Sequence, residues 1–211
     1  PNDGGHLLLS LKGSNEAKIN SKVNKKFIKK YLGSEEFING NERRCIWVDD
    51  EQYEEANQNE WLNSRFKQVE EKRLKSRRSA TKELAKTPFK FGEIRQRGAQ
   101  STLIIPAVSS ENRNYLPVGY LPPNYIVSNA AFVIEGAPLW SMAIVASKLH
   151  LVWVATVCGR IKTDFRYSNT LGWNTFPLPH LTDKNKKDLT ISGEEILIAR
   201  ENHFPKSIAD L

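Results

Sequence analysis

Cysteine and histidine are scarce in this sequence of 211 residues, and neither occurs in a pattern typical of a crosslink or a metal site. The two cysteines, Cys45 and Cys158, are far apart and stand beside apolar residues. That placement is typical of buried free thiols rather than of a disulfide framework. The four histidines lie at no spacing that zinc ligands use. We therefore expect neither a disulfide nor a bound metal ion.

The sequence also lacks the short motifs of common catalytic and nucleotide-binding sites. No G-x-G-x-x-G, Walker A, G-x-S-x-G or H-E-x-x-H pattern occurs. The adjacent carboxylate pairs, Glu35-Glu36 and Glu194-Glu195, point to different sides of a helix and are interpreted as ordinary surface residues. Because no acid, base and nucleophile come together, catalysis by this chain alone is disfavoured. We predict no catalytic residue and no cofactor within it.

Only one long apolar run occurs, at residues 138–157. Lys148, His150 and two serines interrupt it, so the run predicts a long buried core helix, residues 138–158, rather than a membrane span. No signal-peptide pattern opens the chain. We therefore expect a cytoplasmic location and no membrane partner.

Basic residues exceed acidic ones, with a formal net charge of +7 at pH 7 and a pI of about 9.4. Such an excess favours a polyanionic partner, with nucleic acid first and an acidic membrane surface second. A protein-interaction or scaffolding module whose basic surface is incidental remains the alternative. A nuclease would need a metal-binding carboxylate cluster, and the sequence shows none.

Apolar periodicity and turn residues predict an α+β fold. Its parts are a mixed or mostly antiparallel sheet, the long apolar core helix, a basic helical region and a C-terminal helical segment. Gly193 is a candidate break in the last helix. The predicted strands are residues 5–11, 43–48, 102–108, 115–120 and 125–134, and the predicted helices are 24–32, 51–79, 81–85, 138–158 and 182–203.

Two of the predicted helices carry concentrated positive charge. The first places Lys25, Lys26, Lys29 and Lys30 opposite its apolar residues. The second ends in a basic cluster, which comprises Lys72, Arg73, Lys75, Arg77 and Arg78. Either group could be a solvated helix face that suits the helix dipole, or a row of phosphate contacts.

The chain is organised around residues 149–179, where a short polar turn, residues 160–164, stands between apolar segments. Lys162 and Asp164 are two residues apart, so in extended geometry both side chains lie on one face. Lysine only donates hydrogen bonds and aspartate only accepts them, a combination that suits the major-groove edge of a G·C pair. A solvated surface ion pair is the alternative at this point.

Nine short motifs occur in an order that resembles the C-terminal half of MmeI-type (type IIG-like) DNA adenine methyltransferases, and together they span nearly the whole chain. They are Asp3-Gly4-Gly5-His6-Leu7, Gly33-Ser34-Glu35-Glu36-Phe37-Ile38, Arg43-Arg44-Cys45, Val108-Ser109-Ser110-Glu111, Leu116-Pro117-Val118-Gly119-Tyr120, Ser128-Asn129, Gly159-Arg160-Ile161-Lys162-Thr163-Asp164, Arg166-Tyr167-Ser168 and Trp173-Asn174-Thr175-Phe176-Pro177.

The resemblance implies a target recognition domain at residues 1–179, followed at 180–211 by the start of a C-terminal helical segment. It also implies duplex DNA as partner and a fused methyltransferase core that binds S-adenosylmethionine, carries an Asn-Pro-Pro-Tyr motif and lies outside this sequence. The chain starts without methionine and stops within a helical pattern, so we expect it to be part of a longer polypeptide. Lys162 and Asp164 are the implied base-reading residues. The further predicted contacts to phosphate or base are Arg160, Arg166, Arg113, Ser109, Ser110, Arg77, Arg78 and Arg95.

Overall fold

The computed structural model describes residues 2–9, 25–94 and 100–211, and the chain divides into two compact units. The first unit comprises Pro1–Tyr31 and Glu42–Arg95, and the second comprises Leu32–Asn41 and Gln96–Leu211. In chain order the elements are β1 (Leu8–Leu9), β2 (Ile28–Leu32), α1 (Ser34–Asn39), β3 (Arg43–Ile46), a 3-10 turn (Asp50–Gln52), α2 (Tyr53–Asn57), α3 (Glu60–Leu74), α4 (Ser79–Glu83), a 3-10 turn (Leu84–Lys86), β4 (Thr102–Pro106), β5 (Val108–Ser109), β6 (Gly119–Leu121), β7 (Tyr125–Val127), β8 (Ala131–Glu135), α5 (Leu139–Ala146), α6 (Lys148–Val157), β9 (Gly159–Ile161), β10 (Asp164–Arg166), a π-helical turn (Asn169–Trp173) and α7 (Asp183–Asn202).

In the first unit a small antiparallel sheet carries β3 between β1 and β2. Phe27, Ile46 and Phe66 are fully or almost fully buried at the centre of this unit, where α3 packs its apolar stripe. The predicted helix at 24–32 is therefore wrong over the described residues, because Ile28–Leu32 is a strand paired with β3. Apolar residues at a helix-like spacing were outweighed by pairing with a strand distant in sequence.

The predicted helix 51–79 is divided into shorter helices, and the residues of its basic cluster differ in burial. Asn59 is the N-cap of α3, and its side chain accepts a hydrogen bond from the Leu62 N–H. Within the basic cluster, Arg73 is only 1% exposed and belongs to the buried face of α3, so it cannot be a phosphate contact in this conformation. Arg77 and Arg78 are exposed.

In the second unit, β4 is the central strand of the antiparallel sheet β6-β4-β8. Pro106 is the last residue of β4, opposite Ala131 of β8 and beyond the residues of β4 that pair with β6, so the missing N–H of proline costs little. After Pro106 the chain enters a second sheet of order β5-β10-β9. The strand predicted at 115–120 is observed only as β6, which begins at Gly119, and the one predicted at 125–134 is divided into β7 and β8. The strand predicted at 5–11 is observed as β1 over the described residues.

The long helix predicted at 138–158 is two helices, α5 and α6, that meet at an angle of 61°. Ser147 has extended backbone angles at the break, and its hydroxyl accepts the His150 N–H at 3.1 Å as the N-cap of α6. The break falls at Ser147 and Lys148, two of the polar residues that interrupt the apolar run. Over the described residues no single helix could cross a membrane, although the bent pair passes that test on length and composition.

Gly193 does not split the C-terminal helix, contrary to the prediction. It lies within the continuous helix α7 and is buried against α5. A Cβ at this position would lie 2.9 Å from the carbonyl oxygen of Leu139, so glycine permits the close packing of the two helices. The capping box of Thr182 and Asn185 confirms the predicted start of this helix. The α+β class is confirmed.

Leu151→Ala tests where the core lies. Leu151 is 7% exposed in the core cluster of the second unit, so its truncation is expected to cost about 2–5 kcal/mol of unfolding free energy. Leu149→Ala on the same helix is the matched control, because Leu149 is 70% exposed. Urea denaturation should lower the midpoint for the first variant and leave it nearly unchanged for the second. Equal midpoints for the two variants would contradict this placement of α6.

Candidate nucleic-acid interface

A hairpin formed by β9 and β10 carries the two predicted base-reading residues. Ile161 pairs with Asp164, Arg160 with Phe165 and Gly159 with Arg166, so Lys162 and Thr163 are the two loop residues. On its other side β10 pairs with β5, where Phe165 lies opposite Ser109. The polar segment predicted as a turn is therefore the end of a hairpin supported by a third strand.

The two faces of this sheet follow from its register, because residues paired across strands lie on one face. Phe165 and Ser109 are buried, so their face is directed to the core, and Arg160 shares it at the edge strand. The opposite face presents Ile161 and Arg166, both exposed, and the partly exposed Asp164. This outer face offers an acceptor and a cation at alternate positions of one strand.

Lys162 does not have the extended geometry on which its predicted pairing with Asp164 was based. Its φ is +55°, a left-handed conformation that costs an L-residue about 1–2 kcal/mol. A positive φ in a two-residue hairpin loop is usually adopted by glycine or asparagine rather than by lysine. Lys162 therefore projects from the tip of the hairpin, whereas Asp164 shares its face with Arg166.

Arg160 holds the hairpin through three contacts of its guanidinium group. Nη1 donates to Oε2 of Glu111 at 3.1 Å and to the carbonyl oxygen of Thr163 at 2.6 Å. The guanidinium carbon lies 4.6 Å from the centre of the Phe165 ring, within the range of a cation–π interaction. One side chain thus connects β9, the loop, β10 and the segment after β5.

The chain beyond β10 is anchored by an aromatic cluster on α6. His150 is fully buried, and its Nε2 lies 3.2 Å from the hydroxyl of Tyr167. The rings of Trp173 and Phe176 pack edge-on against the imidazole. Burial lowers the pKa of His150 to about 4, so the ring is neutral at pH 7. The hairpin therefore ends in a rigid support.

Comparison with known proteins places this arrangement in a family. The family model described as "MmeI, target recognition domain" matches residues 1–180. The chain belongs to the MmeI target recognition domain family. The predicted resemblance is thus confirmed, and the domain split at residue 179 stays a prediction.

Two relatives of this MmeI family chain are similar along nearly its whole length. DNA methyltransferase A of Bacillus subtilis (strain 168) is 39% identical over 206 residues, which are 95% of this chain and 23% of that protein. The solved structure of the Type IIL restriction-modification enzyme MmeI in complex with DNA is 35% identical, with a TM-score of 0.92, and the match covers 99% of this chain and 28% of that one. The chain spans about a quarter of the length of each.

Several predicted contacts of this MmeI family domain have protein partners or are buried. Ser109 is 3% exposed, and its hydroxyl has no hydrogen-bond partner among the described residues. The Ser110 hydroxyl accepts the Asn112 N–H at 3.3 Å within a turn. Arg113 donates to the carbonyl oxygen of Ile208 at 3.1 Å.

The remaining predicted contacts lie at three places in the sequence. Arg166 is exposed on the outer face of the hairpin, whereas Arg77 and Arg78 are exposed in the first unit. Arg95 lies outside the described residues. All assigned DNA-contact roles stay predictions.

Sequence reasoning did not assign a role to Glu111, which holds the Arg160 guanidinium. Glu111 was noted only as the end of a family motif. It is 49 positions from Arg160 in the sequence, and the contact exists because β5 pairs with β10. No local pattern could have predicted it.

Proposed function

We propose that this chain recognises a specific sequence in duplex DNA on behalf of a methyltransferase fused to it in a longer protein of a bacterial restriction-modification system. The observation that carries the proposal is the polar hairpin tip, supported by a third strand and an aromatic cluster, in a domain of the MmeI family. Preorganised donors and acceptors at such a tip suit direct reading of base edges in the major groove.

In this proposal the described chain reads the DNA bases, and the fused part of the protein carries out methyl transfer. Lys162 at the tip can donate to O6 or N7 of guanine, and Asp164 on the outer face can accept from N4 of cytosine. Arg166, exposed on the same face as Asp164, is a candidate for a phosphate or a base. The fused part would bind S-adenosylmethionine, extrude the target adenine and transfer a methyl group to its N6 atom. We place no cofactor residue in this chain.

Binding of duplex DNA by the isolated chain should be weak and should fall as salt rises. Each phosphate neutralised by a cation releases counterions, and the net charge of +7 provides the cations. Fluorescence anisotropy with a labelled duplex between about 50 and 200 mM salt measures the slope of log affinity against log salt. Salt-independent binding, or no binding at the lowest salt, would contradict this prediction and favour a protein-interaction module.

A further inference from the structure

We propose that Arg160 and Glu111 are positioning residues that set the orientation of the hairpin tip for base reading, and that neither contacts DNA itself. The proposal rests on the proposed function and deepens it. It also revises the predicted role of Arg160 as a contact to phosphate or base. Three observations carry it: the partners of the guanidinium, the place of Thr163 in the loop, and the anchoring of Glu111.

The guanidinium of Arg160 is already engaged by the protein. Nη1 makes hydrogen bonds to both the Glu111 carboxylate and the Thr163 carbonyl oxygen, and the plane of the group lies near the Phe165 ring. The Arg160 and Glu111 side chains are 43% and 40% exposed, so the ion pair is partly shielded from water. An arginine neutralised in this way contributes little to counterion release, because a phosphate oxygen would have to compete with the carboxylate.

Thr163 is the residue through which Arg160 acts on the base-reading positions. It lies between Lys162 and Asp164, and its carbonyl group belongs to the peptide unit that joins it to Asp164. Fixing that carbonyl at 2.6 Å from Nη1 restricts the peptide plane between Thr163 and Asp164, and with it the second residue of the two-residue loop. Because Lys162 has an unfavourable φ of +55°, the loop needs such a restraint to keep one conformation.

Glu111 is a suitable anchor because its own segment is a hydrogen-bonded turn. The Ser110 hydroxyl accepts the Asn112 N–H at 3.3 Å, and the Ser110 carbonyl oxygen accepts the Arg113 N–H at 3.3 Å. This turn follows β5 directly, and β5 pairs with β10. The carboxylate is therefore held at a defined place beside the hairpin.

The test uses the full-length protein with Glu111→Gln and Arg160→Gln. Each variant removes one charge of the ion pair, and Arg160→Gln also removes the donor to the Thr163 carbonyl oxygen. Affinity is measured for the recognition sequence and for duplexes in which each base pair is changed in turn, at two salt concentrations. Glu201→Gln, an exposed site on α7, is the control for the change of charge in Glu111→Gln. A thermal melt of each variant establishes whether it is folded. One folded variant is enough to test the proposal.

We expect discrimination at one base-pair position, or at two adjacent ones, to fall by about tenfold in both variants. Discrimination elsewhere should match the Glu201→Gln control, and so should the salt slope. The double variant should lose no more than Arg160→Gln alone, because Glu111 acts only through Arg160. If Arg160 and Glu111 had only a structural role, the variants would melt at a lower temperature and would keep the same base preference at every position.

Two results would overturn the proposal. If Glu111→Gln tightens binding to every sequence and steepens the salt slope by about one relative to the control, Arg160 is a phosphate contact. If the folded variants discriminate as the unmodified protein does, the contact does not position the tip. Both outcomes differ from failure of the proposed function, in which the unmodified protein itself would show no sequence discrimination.

Discussion

Arg73→Leu is expected to destabilise the first unit by about 3–5 kcal/mol, because one buried guanidinium holds four backbone carbonyl groups. Nε donates to Asn2 at 3.0 Å, Nη1 to Leu84 at 2.7 Å and to Thr87 at 2.9 Å, and Nη2 to Lys90 at 2.6 Å. Burial lowers the pKa of Arg73, and the negative charge of Asp3 offsets only part of this shift. Leucine fills the space but leaves these buried acceptors without a donor.

Arg77→Leu is the matched control, since it makes the same change four residues away in the same basic cluster, at an exposed position. Its effect on unfolding free energy should stay within about 0.5 kcal/mol. Urea denaturation measures both variants, and hydrogen exchange at the α3 amides assigns the loss to the first unit. Equal stability of the two variants would show that the carbonyl groups are satisfied without Arg73.

The double substitution Lys162→Glu with Asp164→Arg is expected to change the preferred base at one position of the recognition sequence of the full-length protein. It exchanges the order of acceptor and donor along the hairpin and provides a guanine-reading arginine at the second place. One mismatch costs about 1–3 kcal/mol, so reversing a preference changes the ratio of affinities by about 2–6 kcal/mol, or roughly 30-fold to twenty-thousand-fold. Both sites are at least partly exposed, so the fold should be retained.

Sequencing of the modified sites measures the new preference. The control is Lys148→Glu with Glu201→Arg, the same exchange of charge on the exposed surfaces of α6 and α7, which should leave the recognition sequence unchanged. A folded, active hairpin variant with the original recognition sequence would remove the base-reading role of both residues. A structural ion pair predicts lost stability without a change of preference.

The buried stripe of α3 in the first unit can be read in part from the spacing of its apolar residues. Leu62, Phe66 and Val69 follow one another at spacings of four and three, and the next position of that stripe is 73. Leu74 is the next apolar residue in the sequence but is 54% exposed, whereas Arg73 occupies the buried position. The residue type misled because arginine is rarely buried unless its donors are satisfied, and those acceptors lie in other segments.

The candidate site also combines features that the sequence predicts with features that depend on the tertiary structure. The polar segment between apolar ones was evident from composition, and the family motifs indicated which residues to examine. The sequence placed Lys162 and Asp164 on one face by assuming an extended chain, but a hairpin turn at Lys162 separated them. The turn forms because β9 and β10 pair. The loop residues Lys162 and Thr163 include no glycine, so the sequence lacks the usual signal of a two-residue hairpin loop.

The sequence by itself determined what depends on neighbouring residues and on order along the chain. The family motifs and the start of the C-terminal helix at Thr182 belong to this class, because they depend on residues that are close together in the sequence. Only the tertiary structure decided that residues 28–32 form a strand, that Arg73 is buried and that Arg160 binds Glu111. These features depend on partners that the fold brings together from distant segments, where neither periodicity nor propensity carries information about the contact.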